Sequence, residues 1–153
     1  MGLFTNLFSS KPLDTPPDKK EIFILMGTAK FELENTGEEN FQAALETICG
    51  PRHSRGENRT EMAFLLLEDK NRRDHTAVRV EIRGKQVGFL SPKAAILYRQ
   101  HLIAKGMPRA TGQCLAVIKG GWISSDGRKG LYGVWLDFPV LCKDGVSDAS
   151  KRP

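Results

Sequence analysis

Hydrophobic and polar positions alternate most cleanly between Thr76 and Ile82, where Val78, Val80 and Ile82 stand against Ala77, Arg79 and Glu81. That period of two is the pattern of a half-buried strand. Arg83-Gly84-Lys85 makes a tight turn and Gln86 to Leu90 returns as the partner, so a hairpin is expected. Thr60 to Leu67 is apolar with the length of a strand, and Glu21-Ile-Phe-Ile-Leu-Met26, ending at Gly27, suits a buried strand that opens the domain. Further on, Gln113 to Lys119 and Leu131 to Phe138 flank Gly120 to Gly130, whose Ser124-Ser-Asp-Gly-Arg-Lys-Gly130 is turn chemistry, and a second hairpin follows.

Two segments carry helical spacing instead. Phe41, Ala44, Leu45 and Ile48 share one face, with Asn40 as the expected N-cap and Gly50 as the stop. Ser91 caps a second helix with Pro92 at its first position, and Ala95, Ile96, Leu97, Leu102 and Ile103 supply its apolar face up to Gly106. The stretch from Arg52 to Arg59 is polar and aperiodic, and reads as a mobile surface loop. The fold class is therefore mainly β with two short helices (α+β), as a small curved sheet or partly open barrel.

The chain ends read differently. Leu3, Phe4, Leu7 and Phe8 recur at helical spacing, and Ser9 to Lys20 holds three of the eight prolines, a linker composition. Residues 1–20 are thus expected to precede a domain spanning 21–142, with 143–153 a flexible polar tail. Leu3 to Phe8 is either a short helix packed on the body or disordered, or a docking tag for a larger protein.

Composition adds a bias but no chemistry. With 40% hydrophobic and 27% charged residues, 153 residues suffice for one compact domain with its own core. The net charge is +5. Its origin is local, because Pro51 to Lys105 carries twelve Lys and Arg against six acids. Such a surplus admits an anionic partner without requiring one. Cys49, Cys114 and Cys142 form no CxxC pair, which argues against a disulfide framework or zinc site and for reduced thiols in the cytoplasm. No run has the roughly 18 apolar residues of a membrane span. Neither a signal peptide nor a myristoylation site is expected, since Asn6 stands where Ser or Thr is required.

Read whole, Leu67-Glu-Asp-Lys-Asn-Arg-Arg-Asp-His-Thr-Ala-Val-Arg-Val-Glu-Ile-Arg-Gly-Lys-Gln-Val-Gly-Phe-Leu90 resembles the signature of the HIRAN domain. That signature runs acidic residue, Asn-Pro-Tyr-Asp-x-Asn-Ala-Val, strand, glycine turn, Val-Gly-Tyr-Leu, helix. Asn71, Asp74, Ala77, Val78, Val87, Gly88 and Leu90 match it in identity and order without a gap, and Phe89 stands for the aromatic. The stretches Phe41 to Gly50, Gly120 to Trp122 and Tyr132 to Asp137 are also similar to bacterial members, so the likeness extends over about Ile22 to Pro139.

The resemblance implies a modified OB-like barrel that binds single-stranded DNA or its 3′ end, in repair, replication or mobile-element processes. Asn71 and Asp74 would contact the terminal nucleotide, Phe89 would lie on the binding face, and Lys93 would meet a phosphate at the start of the following helix. Lys30 and Phe31 match the basic and aromatic residues that the family places after its first strand. Arg72-Arg73 replaces Pro-Tyr, which puts guanidinium groups where a base-stacking ring belongs; arginine both stacks on bases and pairs with phosphates. Against these readings stand plainer ones. Asn71 and Asp74 also suit turn caps, Arg72 and Arg73 a solvated loop, Phe89 an ordinary core ring, and Trp122 and Trp135 core or partner-facing positions.

Catalysis is not expected. Cys49, His53, His75 and His101 lack an orienting motif, and no phosphate-cradling glycine loop or metal-ligand cluster occurs, so neither cofactor nor metal is anticipated. Any chemistry would come from a helicase or nuclease partner. The alternative is a non-catalytic protein-interaction adaptor using Leu3 to Phe8 or the Trp122 hairpin.

Overall fold

A computed structural model describes residues 21–138. The expectations for 1–20, for Cys142 and for the 143–153 tail lie outside the described residues. Among those described, the strands are β1 (Ile22–Ile24), β2 (Leu33–Glu34), β3 (Glu57–Leu67), β4 (Val78–Ile82), β5 (Lys85–Phe89), β6 (Thr111–Gly120) and β7 (Tyr132–Leu136). The α-helices are α1 (Gln42–Cys49) and α2 (Pro92–Ala104). Six strands run antiparallel in the order β2-β7-β6-β3-β4-β5, and β1 joins β6 in parallel. The sheet curls into a half-barrel, so the fold is mainly β with two helices, as the hydrophobic pattern implied, and is consistent with the OB-like kind that the resemblance implied.

The β4–β5 hairpin forms where expected. Arg83 and Gly84 both have positive φ (54° and 77°), the geometry of a two-residue turn whose twist matches the flanking strands. Val78, Val80 and Ile82 turn inward and are fully buried with Val87. Their core continues through Leu65, Ala116, Ile118, Val134 and Leu136, with Leu45 and Ile48 from α1 and Tyr98 and Leu102 from α2.

The two edges of the curled sheet meet through one bridge, Thr36 to Phe89. Asn35, 1% exposed, supports it by donating from Nδ2 to the Val87 carbonyl at 3.2 Å. Gly88 makes the approach possible. A Cβ there would lie 2.5 Å from the Thr36 carbonyl oxygen and closer still to the Asn35 amide. Elsewhere helix side chains replace a missing strand along β7. Gln42 accepts from the Tyr132 N–H at 2.8 Å and donates to the Tyr132 carbonyl at 3.1 Å, while Glu38 accepts from the Val134 N–H at 3.2 Å. Burial pushes the Glu38 carboxyl up from the ordinary range.

Several local expectations require correction. Asn40 does not cap α1. It closes a 3-10 turn, Glu38–Asn40, entered through left-handed Gly37, so the chain is already turning at Phe41, the N-cap residue. Ser91, by contrast, caps α2 as expected, its Oγ accepting from the Ala94 N–H at 3.1 Å behind Pro92. The apolar face assigned to α2 is rotated: Ala94, Ala95, Tyr98 and Leu102 are buried, whereas Ile96 and Ile103 are 43% and 63% exposed. Small alanines let the helix approach the sheet, and Gly112 leaves room for the Tyr98 hydroxyl. The segment read as a loop to Arg59 also ends early, because β3 begins at Glu57.

Candidate nucleic-acid interface

Residues Glu68 to Thr76 connect β3 to β4 as a loop held from inside by its own polar side chains. The Glu68 N–H donates to the Ala77 carbonyl at 3.0 Å and closes its base. Asn71 Oδ1 accepts from the backbone N–H groups of Arg73 and Asp74 at 2.9 and 3.0 Å, the geometry by which an Asx side chain fixes a turn. Its Nδ2 donates to Glu68 Oε1 at 2.9 Å. Asp74 Oδ1 accepts from the Thr76 N–H at 2.8 Å and from the Thr76 hydroxyl. These bonds to Thr76, the hydroxyl first, hold the Asp74 carboxyl below the ordinary aspartate range.

Both residues therefore shape the turn, as their plainer reading had it. They differ in what remains. Asn71 Oδ1 is occupied by the turn and one Nδ2 hydrogen by Glu68, whereas Asp74 Oδ2 has no hydrogen-bond partner among the described residues and stays available as an acceptor.

A second set of contacts locks the loop to the body, and no local sequence pattern announced it. Arg99 of α2 donates to the Thr76 and Ala77 carbonyls at 2.8 and 2.9 Å and to Asp69 at 2.7 Å. Arg109 reaches the other oxygen of Asp69. Together these guanidinium groups, Arg99 foremost, hold the Asp69 carboxyl below its usual range. On the outer face of β4, Arg79 pairs with Glu81 at 2.8 Å and with Glu68 at 3.1 Å. Arg79 is also the cross-strand partner of Phe89. A continuous chain of contacts thus runs from Phe89 through Arg79 and Glu68 to Asn71.

Arg72 and Arg73 project from this frame, exposed and in no ion pair among the described residues. Phe89 is half-buried and meets Phe41 edge to face, with ring centroids 6.2 Å apart at 64°. Lys93 is exposed in the first turn of α2, three residues beyond Leu90. Lys30 and Phe31 belong to a different loop. It wraps the buried carboxylate of Asp137, which accepts from the Ala29 N–H at 2.9 Å and the Phe31 N–H at 3.4 Å, and both Ala29 and Phe31 take positive φ. No described hydrogen bond or ion pair joins that loop to Glu68–Thr76.

The arginines at 52, 55 and 59 do not form a basic patch with Arg72-Arg73. Arg52 lies 4.7 Å over the Tyr132 ring and donates to the Gly130 carbonyl at 2.8 Å. Arg59 sits in β3, bonded to the Cys49 carbonyl and paired with Glu61 at 3.0 Å. Only Arg55 of the three is exposed. Trp122 is 39% exposed beside Gly130, and Lys119 Nζ stands 5.7 Å over Trp135.

Among the described residues no group of three His, Cys, Asp or Glu side chains is placed to hold a metal ion, and no helix is long and apolar enough to cross a membrane. Comparison with protein-family models, with curated proteins and with solved structures finds no match to this chain.

Proposed function

We propose that this protein is a non-enzymatic nucleic-acid-binding module of the HIRAN kind that holds single-stranded DNA or a DNA 3′ end. The observation that carries the reading is the Glu68–Thr76 loop. Its backbone is fixed by Asn71 and Asp74 while Arg72 and Arg73 stand exposed and, among the described residues, in no ion pair. Because the loop backbone is already ordered, binding a phosphate costs no further ordering of the chain, and each neutralised phosphate releases counterions. Phe89 and Phe41 supply an adjoining aromatic surface for a base, Asp74 Oδ2 an acceptor for a terminal hydroxyl, and Lys93 a further cation. Lys30 and Phe31 contribute from their own loop. The resemblance of Leu67–Leu90 to the HIRAN signature supports the same assignment and sets it in repair, replication or mobile-element processes, beside a helicase or nuclease. The free thiols of Cys49 and Cys114 accord with a cytoplasmic setting. Titration of a short single-stranded oligonucleotide at increasing salt tests the reading.

One observation favours a second role as a protein-interaction adaptor: Trp122 and Leu131 of the β6–β7 hairpin are 39% and 67% exposed.

A further inference from the structure

A cleft of about 420 Å³ opens beside the same loop, lined by Leu67, Glu68, Asp69, Lys70, Asn71, Arg79 and Arg109. Arg72 and Arg73 are not part of its wall. Both oxygens of each of its two carboxylates are already engaged. Glu68 accepts from Arg79 and Asn71, and Asp69 from Arg99 and Arg109. The donors it leaves for an anion are the ammonium of Lys70 and the unengaged N–H groups of Arg109.

Arg109 has no evident structural task of its own. Asp69 is held independently by Arg99, whose guanidinium is fixed on the Thr76 and Ala77 carbonyls and is 19% exposed. Arg109 is 64% exposed, and Asp69 is its one ion-pair partner among the described residues. A pair as exposed as that adds little to stability. Releasing or sharing Arg109 therefore leaves the loop standing. Lys70, exposed at the mouth, pairs with no acid among the described residues.

From this arrangement we infer that the cleft is a second anion subsite, in which Arg109 and Lys70 take one backbone phosphate of a bound nucleic-acid strand while Arg99 keeps Asp69 in place. This rests on the nucleic-acid reading above and extends the contact surface from Arg72-Arg73 to the opposite shoulder of the loop.

The test compares Arg109→Gln and Lys70→Gln with Lys85→Gln in binding a fluorescent single-stranded oligothymidylate over a salt series. Lys85 is exposed at the far end of the β4–β5 hairpin, and Lys85→Gln removes one positive charge, as each single substitution in the cleft does. Losing one phosphate contact lowers the log-log salt slope by about 0.7. The double Arg109→Gln/Lys70→Gln variant is expected to show that loss with an unchanged melting temperature, and Lys85→Gln an unaltered slope. Slopes for the double variant equal to Lys85→Gln, with the parent still binding, overturn the subsite alone. Absence of salt-dependent binding by the parent overturns the nucleic-acid reading and the subsite with it. If Arg109→Gln instead lowers the melting temperature markedly, Arg109 is a structural residue, and Lys70→Gln alone then decides whether a phosphate sits in the cleft.

Discussion

Thr36 and Phe89 exchange two backbone hydrogen bonds, 2.8 Å from the Thr36 N–H to the Phe89 carbonyl and 2.9 Å in return, and through them the β2 and β5 edges of the curled sheet meet. Because Phe89 is also the cross-strand partner of Arg79, which holds Glu68 of the loop, the closure and the candidate interface are mechanically one object.

Gly88→Ala tests that closure. The added methyl group collides with the Thr36 carbonyl and the Asn35 amide, both fixed by the bridge, so a loss of about 1–3 kcal/mol in urea unfolding is expected. Gly84→Ala, with open space around it but a φ of 77°, is expected to cost about 1 kcal/mol through strain alone. A Gly88→Ala protein as stable as the parent would show that the bridge is dispensable.

Asp74 is expected to sense the chemistry of a DNA terminus. If its Oδ2 accepts from a 3′-hydroxyl, a 3′-phosphorylated strand binds roughly tenfold more weakly, the scale of one charge-assisted hydrogen bond. Asp74→Asn keeps an acceptor for Thr76 but turns the outward oxygen into a donor, and is expected to erase the discrimination. Equal affinities of the parent for both termini would leave Asp74 with its turn-shaping role alone.

Replacing both loop arginines has a different signature. Arg72→Ala/Arg73→Ala is expected to weaken binding to all sequences alike and to lower the log-log salt slope by about 1.4, the value for two phosphate contacts on a single strand. Competition with oligonucleotides of varied composition is the check, and altered sequence preference at unchanged slope means the arginines read bases.

The loop should also carry an acid transition of defined sign. Hydrogen bonds and ion pairs hold the folded-state pKa values of Asp69 and Asp74 below the ordinary aspartate value of 3.8. Their contribution is complete above pH 3.8 and disappears as pH falls through the lower folded values. In an NMR titration the Thr76 amide, bonded to Asp74, is expected to hold its chemical shift down to that point and to move only below it. Movement centred above pH 3.8 would contradict the hydrogen bonds assigned to Asp74.

Much of this was legible in the sequence wherever the determinants were local. The β4–β5 hairpin follows from alternation and a glycine turn, and the Ser91 cap from a serine directly before Pro92. What was not legible involves partners far apart in the chain. The Asn35–Val87 contact spans 52 residues and Arg109–Asp69 spans 40, and nothing near either residue announces the other. Arg52 looked like a solvated loop cation because its acceptors, Gly130 and the Tyr132 ring, come from another hairpin. The face of α2 was misjudged because side-chain hydrophobicity favours Ile96 and Ile103, whereas close packing favours Ala94, Ala95 and the ring of Tyr98. Within the candidate site, Asn71 and Asp74 stood out as turn formers. Their frame of Glu68, Asp69, Arg79 and Arg99 emerges only when strands and helix are brought together.

Binding of a labelled single-stranded oligonucleotide by the full chain, followed by anisotropy from low to moderate salt, decides whether the exposed arginines serve a nucleic acid. The expected result is measurable affinity at low salt that declines log-linearly, with a slope of about −0.7 for every phosphate engaged. No binding at low salt, or an affinity indifferent to salt, would contradict it.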